Sequence, residues 1–118
     1  MRSDKEIQKL AQEFEKNQKV LIALGDENRE HIILQMLKEG KDCSGLRVNE
    51  ITKMTNLSRP AVSHHLKILK EAGIIKVRHE GTKNYYFFDT QESMAQLEVL
   101  AKHAQEIMKT LPDRSGEK

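Results

Sequence analysis

The chain has 118 residues, 37% of them hydrophobic and 32% charged, with no tryptophan and a formal net charge of +2. That is enough for one domain with a modest core, and the opening MRSDKEIQKL lacks the apolar run that a signal peptide or a membrane span requires. The single cysteine, Cys43, excludes an internal disulfide and fits a reducing, cytoplasmic setting.

In chain order, residues 4–17 are expected to form an amphipathic helix, because Ile7, Leu10, Ala11 and Phe14 recur at helical spacing. Residues 19–24 make a short apolar helical piece closed by Gly25. Asp26 is a natural N-cap for a helix over 27–39, with Glu27 and Glu30 near the positive end of its dipole. Ile33, Met36 and Leu37 are its expected buried stripe, and Gly40 ends it. Residues 41–47 form a loop that holds Cys43 and Gly45.

Residues 48–54 are again helical, with Val48 and Ile51 on one side. Thr55, Asn56 and Leu57 follow, and Asn56 tolerates the left-handed backbone that a sharp corner uses. The stretch 58–73, SRPAVSHHLKILKEAG, then carries a full set of helix signals. Ser58 is an N-cap, Pro60 fills the first turn, and Gly73 supplies a left-handed stop. At 100° per residue, Val62, His65, Leu66, Leu69 and Ala72 share one arc; Pro60, Ser63, His64, Lys67 and Lys70 lie roughly opposite. The outer face holds short hydrogen-bonders and cations, where a helix built only for solubility would mix both signs. Helix, three-residue turn and helix with such a face is the helix-turn-helix pattern.

Residues 74–79 and 85–88 are β-branched and aromatic runs joined by a Gly-bearing loop over 80–84, the signal of a hairpin. A hairpin after a recognition helix is a wing. Residues 58–88 hold six cations (Arg59, Lys67, Lys70, Lys76, Arg78, Lys83) against Glu71 and Glu80, a local charge of +4, so the rest of the chain is net −2. Concentrated positive charge of this kind is the footprint of a phosphate-binding surface. A last helix is expected over 91–111, before Pro112, with the tail 112–118 disordered. Met94, Leu97, Ala101, Ala104, Met108 and Leu111 alternate steps of three and four, a heptad seam that Leu100 and Ile107 widen. With the first helix also apolar on one side, there is more apolar helix than one small core uses, and a two-fold dimer is the expectation. The domain plan is one unit over 1–111: helix-turn-helix 48–73, wing 74–88 and dimerisation helix 91–111.

The stretches ALGDENREHIILQML and VNEITKMTNLSRPAVSHHLKILKEAGIIKVRHEGTKNYYFFD resemble the ArsR/SmtB-type winged-helix repressors of bacteria over roughly residues 20–110. The resemblance implies a mainly α winged helix-turn-helix fold of five to six helices plus a two-stranded wing. It also implies a homodimer through the first and last helices, and repression of transcription relieved by an inducer. Many members sense metal ions. The family's thiolate site uses two cysteines at positions held here by Arg47 and Asn49, so that site is absent, and Cys43 alone does not rebuild it.

The expected partner is a double-stranded DNA operator with inverted-repeat symmetry. Ser63 and His64 face outward where base edges would be reached. Arg59, Lys67, Arg78 and Lys83 are phosphate candidates, and Ser58, Pro60 and Ala61 complete the surface. His65, at the edge of the apolar arc, is read as structural, and Tyr85, Tyr86, Phe87 and Phe88 as packing residues. The family's last-helix zinc site maps position by position onto Thr90, Glu92, His103 and Glu106, with Asp89 one residue away. This donor set is incomplete and harder than zinc prefers. Zinc bound by Glu92 of one subunit and by His103 and Glu106 of the other stands against an ordinary solvated His–Glu pair. No serine-hydrolase elbow, phosphate loop, zinc-protease motif or paired catalytic carboxylate is present, so an enzyme is not expected. The alternative is a winged-helix module that binds protein without binding DNA.

Overall fold

The computed structural model describes residues 4–39 and 45–111. Gly40, Cys43 and the tail 112–118, for which the sequence suggests a helix stop, a loop cysteine and disorder, lie outside the described residues. The elements run α1 (Asp4–Lys16), α2 (Gln18–Leu24), α3 (Glu27–Glu39), α4 (Val48–Lys53), α5 (Arg59–Glu71), β1 (Ile75–Glu80), β2 (Lys83–Phe88) and α6 (Gln91–Met108). This is a mainly helical fold with one antiparallel hairpin.

Each boundary has a local cause. Asp26 caps α3 by accepting the Arg29 backbone N–H at 3.0 Å, which holds its carboxyl below the usual aspartate range. Glu50 reaches back to accept the Arg47 N–H at 2.9 Å, one half of a capping box at the start of α4. Ser58 Oγ accepts the Ala61 N–H at 3.2 Å, and Pro60 stands in the first turn of α5. Gly73 ends that helix at φ +77°.

The corner between α4 and α5 is built differently from the sequence expectation. No residue other than glycine has positive φ among the described residues, so Asn56 is not left-handed. Thr55 makes the turn instead. Its hydroxyl donates to the Thr52 carbonyl at 3.1 Å and accepts the Leu57 N–H at 3.2 Å, a side chain substituting for a missing backbone partner. The hairpin is also longer and tighter than expected. Glu80 pairs with Lys83, leaving only Gly81 and Thr82 in the turn. Gly81 has φ +62° and Thr82 does not have positive φ, the pattern of a type II′ turn, which suits the twist of the strands.

The core is formed by Val20, Ala23, Ile32, Met36, Ile51, Val62, Leu66, Leu69, Ile74 and Ile75. It joins α2 through α5 to the root of the hairpin. In α3 the covered stripe is Arg29, Ile32, Ile33 and Met36; Leu37, expected inside, is 59% exposed. The start of α6 lies on the core through Met94 and Leu97, and its continuation packs along α1. There Leu100 is buried and Ile107 half-covered, whereas Ala101 and Met108 of the heptad seam face solvent. Leu111 is exposed too and lies beyond the helix, which stops at Met108 and not at 111. The molecule measures 57 × 32 × 25 Å. No described helix is long and apolar enough to cross a membrane.

Candidate nucleic-acid interface

Ser58 caps α5, so the helix starts where its outward residues come together. Ser58, Arg59, Pro60, Ser63, His64, Lys67 and Lys70 are all exposed. Their first acidic neighbour along the helix is Glu71, in its last turn. Ala61 is half-buried at the rim. Val62, Leu66 and Leu69 are fully buried underneath, so rotation of α5 about its axis would expose apolar surface, and the outward set is held in place. Burial of these three side chains is worth about 1.5–3 kcal/mol each, far more than any exposed contact.

His65 is held by a bonded arginine. Arg29, 8% exposed, donates from Nε to the Ala23 carbonyl at 2.9 Å and from an Nη to the Ile22 carbonyl at 3.2 Å. Its other Nη lies 3.1 Å from His65 Nδ1. Since a guanidinium only donates, Nδ1 accepts and the neutral ring carries its hydrogen on Nε2. Burial, with lesser opposing help from Asp26, pushes the His65 imidazole below its usual range, and Arg29 and His64 act in the same direction as burial. Arg29 thereby satisfies the end of α2 and ties it to the recognition helix. Nothing in the sequence reading singled it out, although its spacing to Ile32, Ile33 and Met36 is that of a covered helical face.

On the wing, Lys83 is exposed, opposite Glu80 at the first position of β2. Arg78 is half-buried, its guanidinium 4.9 Å from the centroid of the Tyr85 ring and 3.5 Å from the Glu80 carboxylate. It is thus engaged within the hairpin itself. The aromatic residues of β2 are half-buried, Tyr86 and Phe88 against the core, as packing residues.

The metal candidates do not converge within one chain: among the described residues no group of three His, Cys, Asp or Glu side chains could hold an ion. His103 turns to α1, its Nδ1 2.5 Å from the Glu13 carboxylate. Glu13 is buried, and its other oxygen has no partner among the described residues. Asn17, one turn further, donates to the Glu13 and Gln96 carbonyls. Glu92 lies at the other end of α6, in a cleft with Lys16, Lys19 and Lys76. Lys76 is ion-paired with Asp89 at 2.8 Å, which raises its ammonium above the usual range. Glu13 and Asn17 escaped the sequence reading because polar residues beside an apolar stripe look solvated.

A helix-turn-helix whose second helix offers an exposed cationic face, followed directly by a hairpin, defines a winged-helix DNA-binding protein. The family described as "Bacterial regulatory protein, arsR family" matches residues 28–77. An HTH-type transcriptional regulator of Methanocaldococcus jannaschii is 38% identical over 76 residues, 64% of this chain and 81% of that protein. The transcriptional repressor SdpR of Bacillus subtilis is 38% identical over 71 residues, covering 60% and 73% of the two chains. Among solved structures, reduced HlyU from Vibrio cholerae aligns with a TM-score of 0.60 at 27% identity, covering 80% of this chain and 95% of that one. The chain belongs to the ArsR family of transcriptional regulators.

Proposed function

We propose that this protein is a dimeric repressor that reads an inverted-repeat operator with α5, grips the DNA backbone with its wing, and is released by an inducer. The observation that carries this reading is the outward face of α5: exposed Ser58, Arg59, Pro60, Ser63, His64, Lys67 and Lys70 with no acid before Glu71. A module that had turned to binding protein would have no use for that field. Ser63 and His64 are assigned to base edges, and Arg59, Lys67, Arg78 and Lys83 to phosphates, with Ser58, Pro60 and Ala61 at the approach of the helix. Repression is supported by the similarity to SdpR, a transcriptional repressor.

The dimer is supported by apolar surface that one chain leaves uncovered. Ile7, Phe14, Leu21 and Ile22 on α1 and α2, with Val99 and Met108 on α6 and Leu111 just past it, are 39–60% exposed. A second copy related by a two-fold axis would cover them and place two recognition helices on one face. The unit over 1–111 then serves both tasks, with α6 as its dimerisation helix. His103 is bonded to Glu13 in its own chain, which favours an inducer other than zinc at α6.

The test is a DNA titration with a salt series, using an inverted repeat whose half-sites lie about one helical turn apart, roughly 34–36 Å, and a scrambled duplex. Preference for the repeat, a steep salt slope and a dimeric mass by sedimentation are expected. Equal binding of both duplexes by parent and by an Arg59→Ala/Lys67→Ala variant would overturn the reading. Adding zinc to the operator complex separates a metal-released repressor from one with another inducer.

A further inference from the structure

The two faces of the wing differ in chemistry. Strand alternation puts Lys76, Arg78 and Glu80 on one side, with Phe87, Tyr85 and Lys83 as their cross-strand partners. On that side Glu80 stands opposite Lys83 in the register and its carboxylate lies 3.5 Å from Arg78, so an acid shares this face with the cations. Ile75, Val77 and His79 occupy the other side, paired with Phe88, Tyr86 and Asn84. This second face is apolar at its root, where Ile75 is buried. It ends at the tip in exposed His79 and Asn84 and contains no acid.

His79 Nδ1 lies 2.6 Å from Asn84 Oδ1. A carboxamide oxygen only accepts, so the ring nitrogen carries the hydrogen and donates. The second ring nitrogen, Nε2, and both N–H groups of the Asn84 amide are thereby left without a partner among the described residues. Two side chains on adjacent strands are thus locked to each other and present further hydrogen-bonding groups at the hairpin tip.

We propose that His79 and Asn84 form a second phosphate-contacting pair, on the face of the wing opposite Lys83. This rests on the reading of the chain as a DNA-binding regulator. A ribbon lying against a groove has sugar–phosphate backbone on either side of it, and Lys83 serves only one side. Phosphate oxygens only accept. The Asn84 amide donates to them directly. With Nδ1 already committed to Asn84, the His79 ring donates from Nε2 only when both nitrogens carry a hydrogen, a state that histidine as a residue type reaches by proton uptake between pH 5 and 8. The charged groups of the hairpin near it are Arg78, Glu80 and Lys83, all on the opposite face. The helices that contact the hairpin, α5 and α4, bring Arg59, His64, His65, Lys67, Lys70 and Glu71, and Glu50 and Lys53. None of these is hydrogen-bonded or ion-paired to His79.

The contact is independent of sequence, so a mixed-sequence duplex of about 30 base pairs, long enough for two half-sites, serves as the probe. Affinity is measured at about pH 6 and pH 8, and proton uptake by calorimetry in buffers of different ionisation enthalpy. The parent should bind more tightly at the lower pH and take up protons. His79→Gln, which does not titrate, should lose about tenfold in affinity near pH 6 and little near pH 8, with less proton uptake than the parent. Asn84→Ala should weaken binding at both pH values. A His79→Gln protein with the parent's pH dependence and proton uptake would overturn the proposal, as would an Asn84→Ala protein with full affinity. If the parent bound no duplex, the DNA-binding reading would fall and the pair with it.

Discussion

The buried Arg29 guanidinium donates to His65 Nδ1 across 3.1 Å, joining the first turn of α3 to the middle of the recognition helix. The bond exists only while His65 is neutral. Burial lowers the folded-state pKa of His65 below the ordinary 6.5, so the unfolded chain binds this proton more readily than the folded one. Stability from this site is therefore present above about pH 6.5 and decreases as pH falls below it. Urea unfolding at pH 7.5 and 5.5 should show this loss in the parent. His65→Gln, whose amide oxygen still accepts from Arg29 but does not titrate, should show a smaller loss. An equal loss in both proteins would assign the pH dependence elsewhere.

The outward face of α5 divides into reading and holding groups. Ser63→Ala or His64→Ala should reduce discrimination between operator and scrambled duplex by about 1–3 kcal/mol, while leaving non-specific binding nearly intact. Specific affinity of the parent should lie around 10⁻⁸–10⁻¹¹ M at physiological salt. If both variants discriminate as well as the parent, α5 is not the reading helix.

Lys83 is a point charge at the wing tip. Lys83→Ala should weaken binding to all sequences alike and lower the salt slope by roughly one unit. An unchanged slope would show that its partner is Glu80 and not a phosphate.

Glu13 and His103 form an asymmetric pair, because the carboxylate is buried and the imidazole about one-third exposed. Removing the imidazole leaves a buried carboxylate without its hydrogen-bond donor; His103→Ala should cost about 2–3 kcal/mol. Glu13→Gln leaves His103 able to reach water and should cost about 1 kcal/mol. Chemical denaturation of the two variants checks the order, which a solvated His–Glu surface pair would not produce.

Glycine substitutions should separate conformational strain from steric conflict. Gly73 and Gly81 both have positive φ with open space where a Cβ would stand, so alanine at either should cost only about 1–2 kcal/mol. Gly45, at φ +88°, would bring a Cβ to 2.8 Å from the Tyr86 carbonyl oxygen. That oxygen accepts the Leu46 N–H at 2.8 Å in a bridge that attaches the strand to the start of α4. Gly45→Ala should therefore lower the melting temperature more than either of the others.

Signals that act within a few residues were readable from the chain. Asp26, Ser58 and Gly73 terminate helices through their own side chains or lack of one, and the bounds of α3 agree with the expectation from sequence. The inward arc of α5 was readable for the same reason. What escaped the reading depends on distant partners. Leu37 has the spacing of a core residue but no described element covers it. Arg29 is buried because α2 ends two residues before its cap and offers two carbonyls. Asn56 could have made the corner, but the Thr55 hydroxyl makes it without a left-handed residue. In α6 the heptad pattern runs on past the point where α1 and the core can cover it. Which of its residues are buried is set by the neighbouring helix and not by the repeat.

Ser93, in the first turn of α6, donates its hydroxyl to the Gly73 carbonyl at 3.2 Å, at the junction where the recognition helix passes into the wing. The 18-residue helix is pinned there near its start, and from Ser93 to Met108 it runs about 22 Å at helical rise. If the α6 helices of two copies met as proposed above, each would act as a lever with its fulcrum near Ser93. A tilt of about ten degrees would carry its far end through roughly 4 Å over that length while hardly moving the pivot. An inducer that altered how two such levers cross would change the spacing of the recognition helices without disturbing the fold of either one.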